Sequence, residues 1–461
     1  MQRVEFGTDG IRGIVGDWPL NKPVIMRIGQ ALGEFIRTQS ITPSVVLGRD
    51  TRSTSVEFLG DLCTGMMGQG INVINLGIMT TPGVAFLTRR IKASLGVVVS
   101  ASHSPLEYNG IKLVGTNGLR LQREEEIEIE DLIDQVITNP PQYVETLGQE
   151  IDGQHLIEIY LDDHVRQCPV SSLKDISIVL DCAHGAASNI APDVFRRVGC
   201  DVTVINDSPD GKNINYHSGS EYVRAYPGEL VSAVKQYGAS YGFAFDGDGD
   251  RLVVVDDNGR VFDGQDLLFA LGSYYNTKGF LKNNTIVTTH LANRGLEEAF
   301  SKIGVKTIYA NKGDKNLESA MWEGDYMLGG EIGGNILIND GYHTAADAIY
   351  TALVLAGILA QNRTDSLGKI VDQMRKYPQV ILSFAIPAEH SFLQSELIQE
   401  SIHKLSHQMG VGSRILFWES STEKQTLRIL VEGGAESTQE EVTKIAYIVR
   451  QILERAAGMK K

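Results

Sequence analysis

The amino-acid sequence predicts an α/β protein of three similar mixed-sheet domains followed by an α+β domain, and three observations carry that prediction. The segments SVVLGRDTR from Ser44, ISIVLDCAHGAAS from Ile176 and NTIVTTHLANRGL from Asn284 open alike, each with a β-branched strand, a polar turn and a helix-like stretch. Each is followed by a second strand that runs into a charged or glycine-rich loop: SASHSPLEYNG, FDGDGDRL and GGEIGGNI. These loops recur at spacings of roughly 140 and 85 residues, too wide for a solenoid and suited to separate βαβ domains. After Pro378 the pattern changes to strand, helix, strand, strand, helix, which is that of an α+β unit. Boundaries are expected at 1–150, 151–258, 259–376 and 377–461, the first of them near the Pro140-Pro141 pair in a polar stretch.

Composition bounds the function. At 461 residues the chain is too long for a single core. With 42% hydrophobic and 21% charged residues it has the makeup of a globular protein, and 48 glycines against 13 prolines fit many tight strand-to-helix turns. A net charge of −15 argues against nucleic acid or an anionic membrane as the main partner. The four cysteines, Cys63, Cys168, Cys182 and Cys200, show no CxxC spacing and are expected to be reduced thiols. The start MQRVEFGTDGIRG lacks an apolar stretch of signal-peptide length, and the run IYTALVLAGILA at 349–360 is too short to span a bilayer, so a cytoplasmic protein is expected.

In chain order, VVVS at 97–100 has the unalternating β-branched character of a buried parallel strand. The turn that follows therefore stands at a strand's carboxyl end, where open α/β sheets bind ligands. Ser102 and His103 in that turn are candidates for chemistry; Ser and Pro also end strands for backbone reasons, and both readings stand at this point. The acidic run REEEIEIEDLID (123–134) is expected to be a solvated helix face with Ile127, Ile129, Leu132 and Ile133 partly inward. His184 is expected to be structural, and so are His290 and His343, for which, near third-domain loops, substrate contact is the lesser alternative.

FAFDGDGDRLVVVDDNG is the strongest local signal. Glycines between Asp246, Asp248 and Asp250 let three carboxylates turn toward one point, which suits a hard divalent cation such as Mg²⁺. An EF-hand also opens D-x-D-x-D, and Asp257 even occupies its twelfth position. Arg251 stands where that loop needs glycine, however, and the flanks are strands. Three carboxylates leave open positions that water and phosphate oxygens complete. Ser102 is thus a candidate phosphoryl carrier, Lys112 a candidate acid/base and Arg251 a candidate partner for the transferring phosphate.

The motifs GTDGIRG (7–13), GRDTR (48–52), SASHSP (100–105), NGIK (109–112) and DGDGDR (246–251), in that order, resemble the α-D-phosphohexomutase superfamily, GTDGIRG being the signature of its phosphoglucosamine branch. The resemblance runs on more weakly through GGEIGGNI to STEKQTLRILVEG, and so spans essentially the whole chain. It implies four domains around a central cleft, with Ser102 as phosphoserine and a metal ligand beside Asp246, Asp248 and Asp250. It further implies Arg12 and His103 supporting the serine, Lys112 as acid/base, and Arg251, Lys315, Glu331, Gly333, Asn335, Ser421, Thr422 and Arg428 on the substrate. The implied reaction is a Mg²⁺-dependent interconversion of 6-phospho and 1-phospho sugars, glucosamine phosphates in particular, through a sugar 1,6-bisphosphate, by a monomer or homodimer.

The chain departs from the family pattern on the recognition side. G-E-x-S-G-H becomes GEIGGN, with Gly333 for serine and Asn335 for histidine. Lys315 replaces an arginine, keeping charge without the bidentate fork. WESSTEKQ (418–425) puts Glu419 where a cation is expected and Ser421 in place of glycine. A diverged paralogue with a regulatory or phosphosugar-binding role is the alternative these departures leave open.

Overall fold

A computed structural model describes residues 3–39, 43–139, 142–361, 366–387, 395–419 and 425–458. Pro140, Pro141, Ser421 and Thr422 lie outside the described residues. Two compact units are formed, one by 1–290 with 307–371 and the other by 291–306 with 372–461.

The first unit contains three sheets. Sheet one comprises β1 (Ile11–Ile14), β2 (Ser44–Arg49), β3 (Asn72–Ile78), β4 (Leu95–Val99), β5 (Tyr108–Gly115) and β6 (Glu150–Asp152), in the order β1-β5-β4-β2-β3-β6. Sheet two comprises β7 (Ser177–Asp181), β8 (Asp201–Ile205), β9 (Tyr241–Phe245), β10 (Leu252–Asp256) and β11 (Val261–Phe262), in the order β11-β10-β9-β7-β8. Sheet three comprises β12 (Thr285–Thr289), β13 (Lys306–Ala310), β14 (Leu328–Gly330) and β15 (Ile336–Ile338), in the order β13-β12-β14-β15.

The repeated unit expected from sequence is visible in the pairing. In each sheet the first recurring strand pairs in parallel with a second: β2 with β4, β7 with β9, β12 with β14. That second strand then turns back into an antiparallel partner: β5, β10, β15. The three loops singled out in the sequence are those three reversals. All five residues of β4 are buried, as its unbroken apolar run requires when both faces of a sheet are covered. The strand is parallel to β2 on one edge only, since β5 on its other edge runs antiparallel.

Around sheet one lie α1 (Lys22–Gln39), α2 (Ser53–Met67), α3 (Thr81–Arg90) and α4 (Arg123–Thr138), and α5 (Ile157–Gln167) follows. Helix α4 corrects the expectation for the acidic run. Glu126 and Glu130 are buried rather than solvated, because Arg123 Nη1 stands 2.6 Å from Glu130 Oε1, Phe6 N donates to the same oxygen at 2.8 Å, and Lys315 Nζ stands 2.8 Å from Glu126 Oε2. Ile129 and Ile133 are in the core, whereas Ile127 is exposed. The apolar run at 349–360 forms the helix Ala348–Gln361, buried along nearly all its length. Among the described residues no helix is long and apolar enough to cross a membrane. The four cysteines are unpaired, and burial pushes the Cys63 and Cys200 thiols up to about 12.

The second unit holds β16 (Gln379–Ala385), β17 (Arg414–Glu419) and β18 (Thr426–Glu432), an antiparallel sheet with β18 central. The helices Glu396–Gln408 and Gln439–Ala456 complete it, around a core that includes Leu427, Ile429, Val442 and Leu453. Asn293 ties its two chain segments together, donating to Tyr377 O and accepting from Tyr377 N, both at 2.9 Å.

Candidate active site

The three reversals of the first unit approach one another because glycine lets their backbones do so. A Cβ at Gly247 would stand 2.7 Å from Ser102 O, and one at Gly334 only 2.4 Å from Leu252 O. Neither position has room for a side chain.

The serine turn is shaped by residues of GRDTR. Asp50 accepts from Arg52 Nε at 3.0 Å, Ser55 Oγ at 2.7 Å and Ser100 Oγ at 2.8 Å. The buried Arg52 donates onward to the carbonyls of Ser102, Ser104 and Pro105, at 3.2, 2.7 and 2.7 Å. Ser102, so held, has a left-handed backbone with φ 51°, which is uncommon for a residue other than glycine and recurs at functional turns. Its Oγ donates to Asp246 Oδ2 at 2.6 Å and lies 3.1 Å from His103 Nδ1. The hydroxyl of Ser100 is turned away toward Asp50.

Asp246, Asp248 and Asp250 are all buried, and one carboxylate oxygen from each lies within 4.8 Å of the others. Asp248 Oδ2 accepts from Thr81 Oγ1 at 2.6 Å and from Lys112 Nζ at 2.7 Å; Lys112 Nζ is also 3.4 Å from Asp250 Oδ2. Burial and then the neighbouring carboxylates push Asp246 well above the ordinary carboxylate range and Asp250 up to about 6. Burial acts the same way on Asp248, but Lys112 outweighs it and holds that carboxyl low. Burial would lower Lys112, yet Asp248, Asp9 and Asp250 together keep it above the usual lysine range, so it stands protonated. His103 is held well below the usual histidine range by burial and by Arg251 and Arg12, so its ring is neutral.

Asp9 is the hub that ties Arg12 to this cluster. It is ion-paired with Arg12 and stands 3.2 Å from Lys112 Nζ and 2.8 Å from Arg120 Nη1. Arg251 N donates to Asp246 Oδ1 at 3.2 Å, and its guanidinium pairs with Glu221 at 3.0 Å. Of the third loop, Asn335 Nδ2 donates to Asp250 O at 3.4 Å, Glu331 accepts from Gly313 N at 3.2 Å, and a Cβ at Gly333 would stand 3.5 Å from Arg251 Nη1. Lys315 is engaged by Glu126. Arg428 lies on β18 opposite Trp418, in the second unit, and Glu419 is the exposed last residue of β17. Sequence reasoning passed over Asp9 although it stands within GTDGIRG. Thr81, Arg120 and Glu318 carry no local signal, being brought in by α3, the loop after β5 and a helix of the third sheet's layer.

The donor set fits a hard dication. Asp248 Oδ1 and Asp250 Oδ1 are buried without a protein hydrogen-bond partner, all the donors are oxygens, and added positive charge would relieve the repulsion that drives Asp246 and Asp250 toward protonation.

Family profiles match three stretches of the chain: phosphoglucomutase/phosphomannomutase alpha/beta/alpha domain I over 3–139, domain II over 158–259 and domain III over 263–377. The chain belongs to this family. It is an α-D-phosphohexomutase and a phosphosugar mutase by class, so the reading as a non-enzymatic paralogue falls. The phosphohexomutase is 36% identical over 448 residues to the phosphoglucosamine mutase of Anoxybacillus flavithermus (97% of this chain, 98% of that one). It is 35% identical over 454 residues to that of Bacillus cereus (98% and 99%). Its fold is similar to that of a phosphoglucomutase/phosphomannomutase family protein from Burkholderia thailandensis, with TM-score 0.80 at 22% identity over 99% and 98% of the two chains. It is also similar to the N-acetylphosphoglucosamine mutase of Aspergillus fumigatus solved with GlcNAc-6P and magnesium, with TM-score 0.68 at 17% identity over 99% and 96%.

Proposed function

We propose that the enzyme interconverts glucosamine 6-phosphate and glucosamine 1-phosphate by way of a phosphorylated Ser102 and a sugar 1,6-bisphosphate. One observation carries the reading: Ser102 Oγ stands 2.6 Å from Asp246 at the rim of a buried carboxylate triad, with the neutral His103 and the protonated Lys112 beside it. The substrate is taken from the full-length relatives, which are phosphoglucosamine mutases.

In the first half-reaction the P–O bond to Ser102 breaks as a P–O bond to the sugar hydroxyl forms; the hydroxyl gives up its proton and Ser102 Oγ regains one. The bisphosphate turns over, and its other phosphate returns to Ser102 by the same steps reversed. Lys112, held protonated by three carboxylates, serves as the acid and, once it has given its proton, as the base. Arg12 is oriented by Asp9, and Arg251 by Glu221, so that both cations are fixed before substrate arrives. Asp246, Asp248, Asp250 and the Ser102 oxygen would hold Mg²⁺, which supplies charge neutralisation at the transferring phosphate. Glu331, Asn335 and Gly333 are assigned to the sugar, Lys315 to substrate binding, and Ser421, Thr422 and Arg428 to the non-reacting phosphate. The division into four domains near 150, 258 and 376, a cytoplasmic location and a monomeric or dimeric state belong to the same proposal.

Intact mass with and without phosphatase, followed by assay on glucosamine, glucose and mannose 6-phosphates, tests it. One removable phosphate and preferred turnover of the glucosamine compound are expected; an unphosphorylatable protein, or preference for another sugar, overturns it.

A further inference from the structure

The same unit contains a second cluster of ligating side chains, outside the reversals. It lies where α5 meets the loop before the helix Ala348–Gln361. His164, His343 and Asp347 are buried there, and one ligand atom from each lies within 4.8 Å of the others. Both histidines already commit Nδ1: His164 Nδ1 lies 3.0 Å from Tyr160 O, and His343 Nδ1 lies 3.0 Å from Asp340 Oδ2. A backbone carbonyl and a carboxylate in those places fix the proton on Nδ1 and leave the Nε2 lone pair free to bind, the arrangement that orients metal-binding histidines.

Neither Nε2 has a hydrogen-bond partner in the protein. That of His164 lies 3.2 Å from Asp347 Oδ2 without the geometry of a hydrogen bond. Asp347 is steadied in turn, accepting from Tyr160 Oη at 2.7 Å and from Tyr350 N at 2.9 Å. Tyr350 Oη donates to Asp340 Oδ2 at 2.7 Å.

Charge points the same way. Three largely buried carboxylates, Asp163, Asp340 and Asp347, surround the two imidazoles, and among the described residues the fixed cation paired with them is the exposed Arg166, 3.7 Å from Asp163 Oδ1. A dication compensates the carboxylates and uses both lone pairs. Two imidazole nitrogens and one carboxylate select a borderline transition metal over the hard cation suited to an all-oxygen set.

We propose that His164, His343 and Asp347 form a second metal site, which takes a borderline dication such as Zn²⁺ and clamps the 340–347 loop to α5. The site is structural: its ligands are distinct from Ser102 and the aspartate triad, and it joins segments far apart in the chain.

The test titrates ZnCl₂ into the EDTA-stripped full-length chain with Mg²⁺ in excess, in an Asp248→Asn background that disables the triad. One equivalent of Zn²⁺ should bind. Asp340→Asn, which keeps all three ligands, should weaken it about 10–100-fold, and His343→Ala by more than about 100-fold. Co²⁺ in the parent chain should give the intense visible bands of a tetrahedral site. Zn²⁺ binding that is absent, or unchanged in Asp340→Asn, overturns the proposal, as do missing Co²⁺ bands, and these measurements decide even if His343→Ala does not fold.

Discussion

Asp246, Asp248 and Asp250 come from one turn between β9 and β10, whereas His164, His343 and Asp347 are gathered from α5 and from a loop far along the chain. The first cluster is all oxygen, is served by the ammonium of Lys112, and opens onto a hydroxyl at the end of a strand. The second is mostly nitrogen and is braced by two tyrosines and a further aspartate. A site that performs chemistry sets a reacting group beside its ligands, while a site that holds segments together has each ligand braced by the protein. Contiguity follows from the same contrast: a hairpin turn can be exchanged as a cassette, but a clamp must draw its ligands from the parts it joins.

The largest test of that contrast is the nucleophile. Ser102→Ala should lower turnover on the order of a thousandfold or more and abolish the phosphorylated mass. Phosphate found on Ser100, or turnover near the parent's, would break the assignment. Asp248→Asn should lower turnover by about a hundredfold and blunt the response to Mg²⁺, and excess EDTA should stop the parent enzyme. Full activity in EDTA would remove the metal from the mechanism.

A smaller effect lies at the edge of the catalytic cluster. Burial pushes Glu318 up to about 7, against the pull of Arg120. A carboxyl so raised binds its proton more tightly folded than unfolded, so its contribution is present below about pH 4.5 and is lost as pH rises toward 7. Glu318→Gln should therefore flatten that part of the stability profile and gain up to about 3 kcal/mol above it; a parallel profile in urea melts would refute the shift. The smallest concerns the clamp. Tyr160→Phe removes the hydroxyl that donates to Asp347 and should cost about 1–2 kcal/mol of stability, leaving turnover near the parent's. Loss of turnover without loss of stability would erase the distinction between the two clusters.

The repeating βαβ plan was legible because strand and turn chemistry are local, and the three loops could be placed at strand ends before any pairing was known. The aspartate triad was legible for the same reason. Asp9, Arg120 and the histidine pair were not, because each acquires its partners only through packing: His343 reads as a loop residue, and it is buried with its ring beside that of His164 on α5. The buried glutamates of α4 were misjudged by a related route. An acidic run is solvated unless cations from elsewhere reach it, and Arg3 and Lys315 do.

The torsion at Ser102 has an evolutionary corollary. Threonine carries the same hydroxyl, and on chemical grounds the two are interchangeable as phosphoryl acceptors. At φ 51° they are not, because a β-branched side chain is crowded by its own backbone in the left-handed region. Serine can drift to threonine here only if the whole turn is rebuilt, including the three carbonyls gripped by Arg52. The alphabet open to this nucleophile is thus narrowed by main-chain geometry before catalysis selects anything, and cysteine, unbranched and able to keep the torsion, is the neighbour the fold itself leaves within reach.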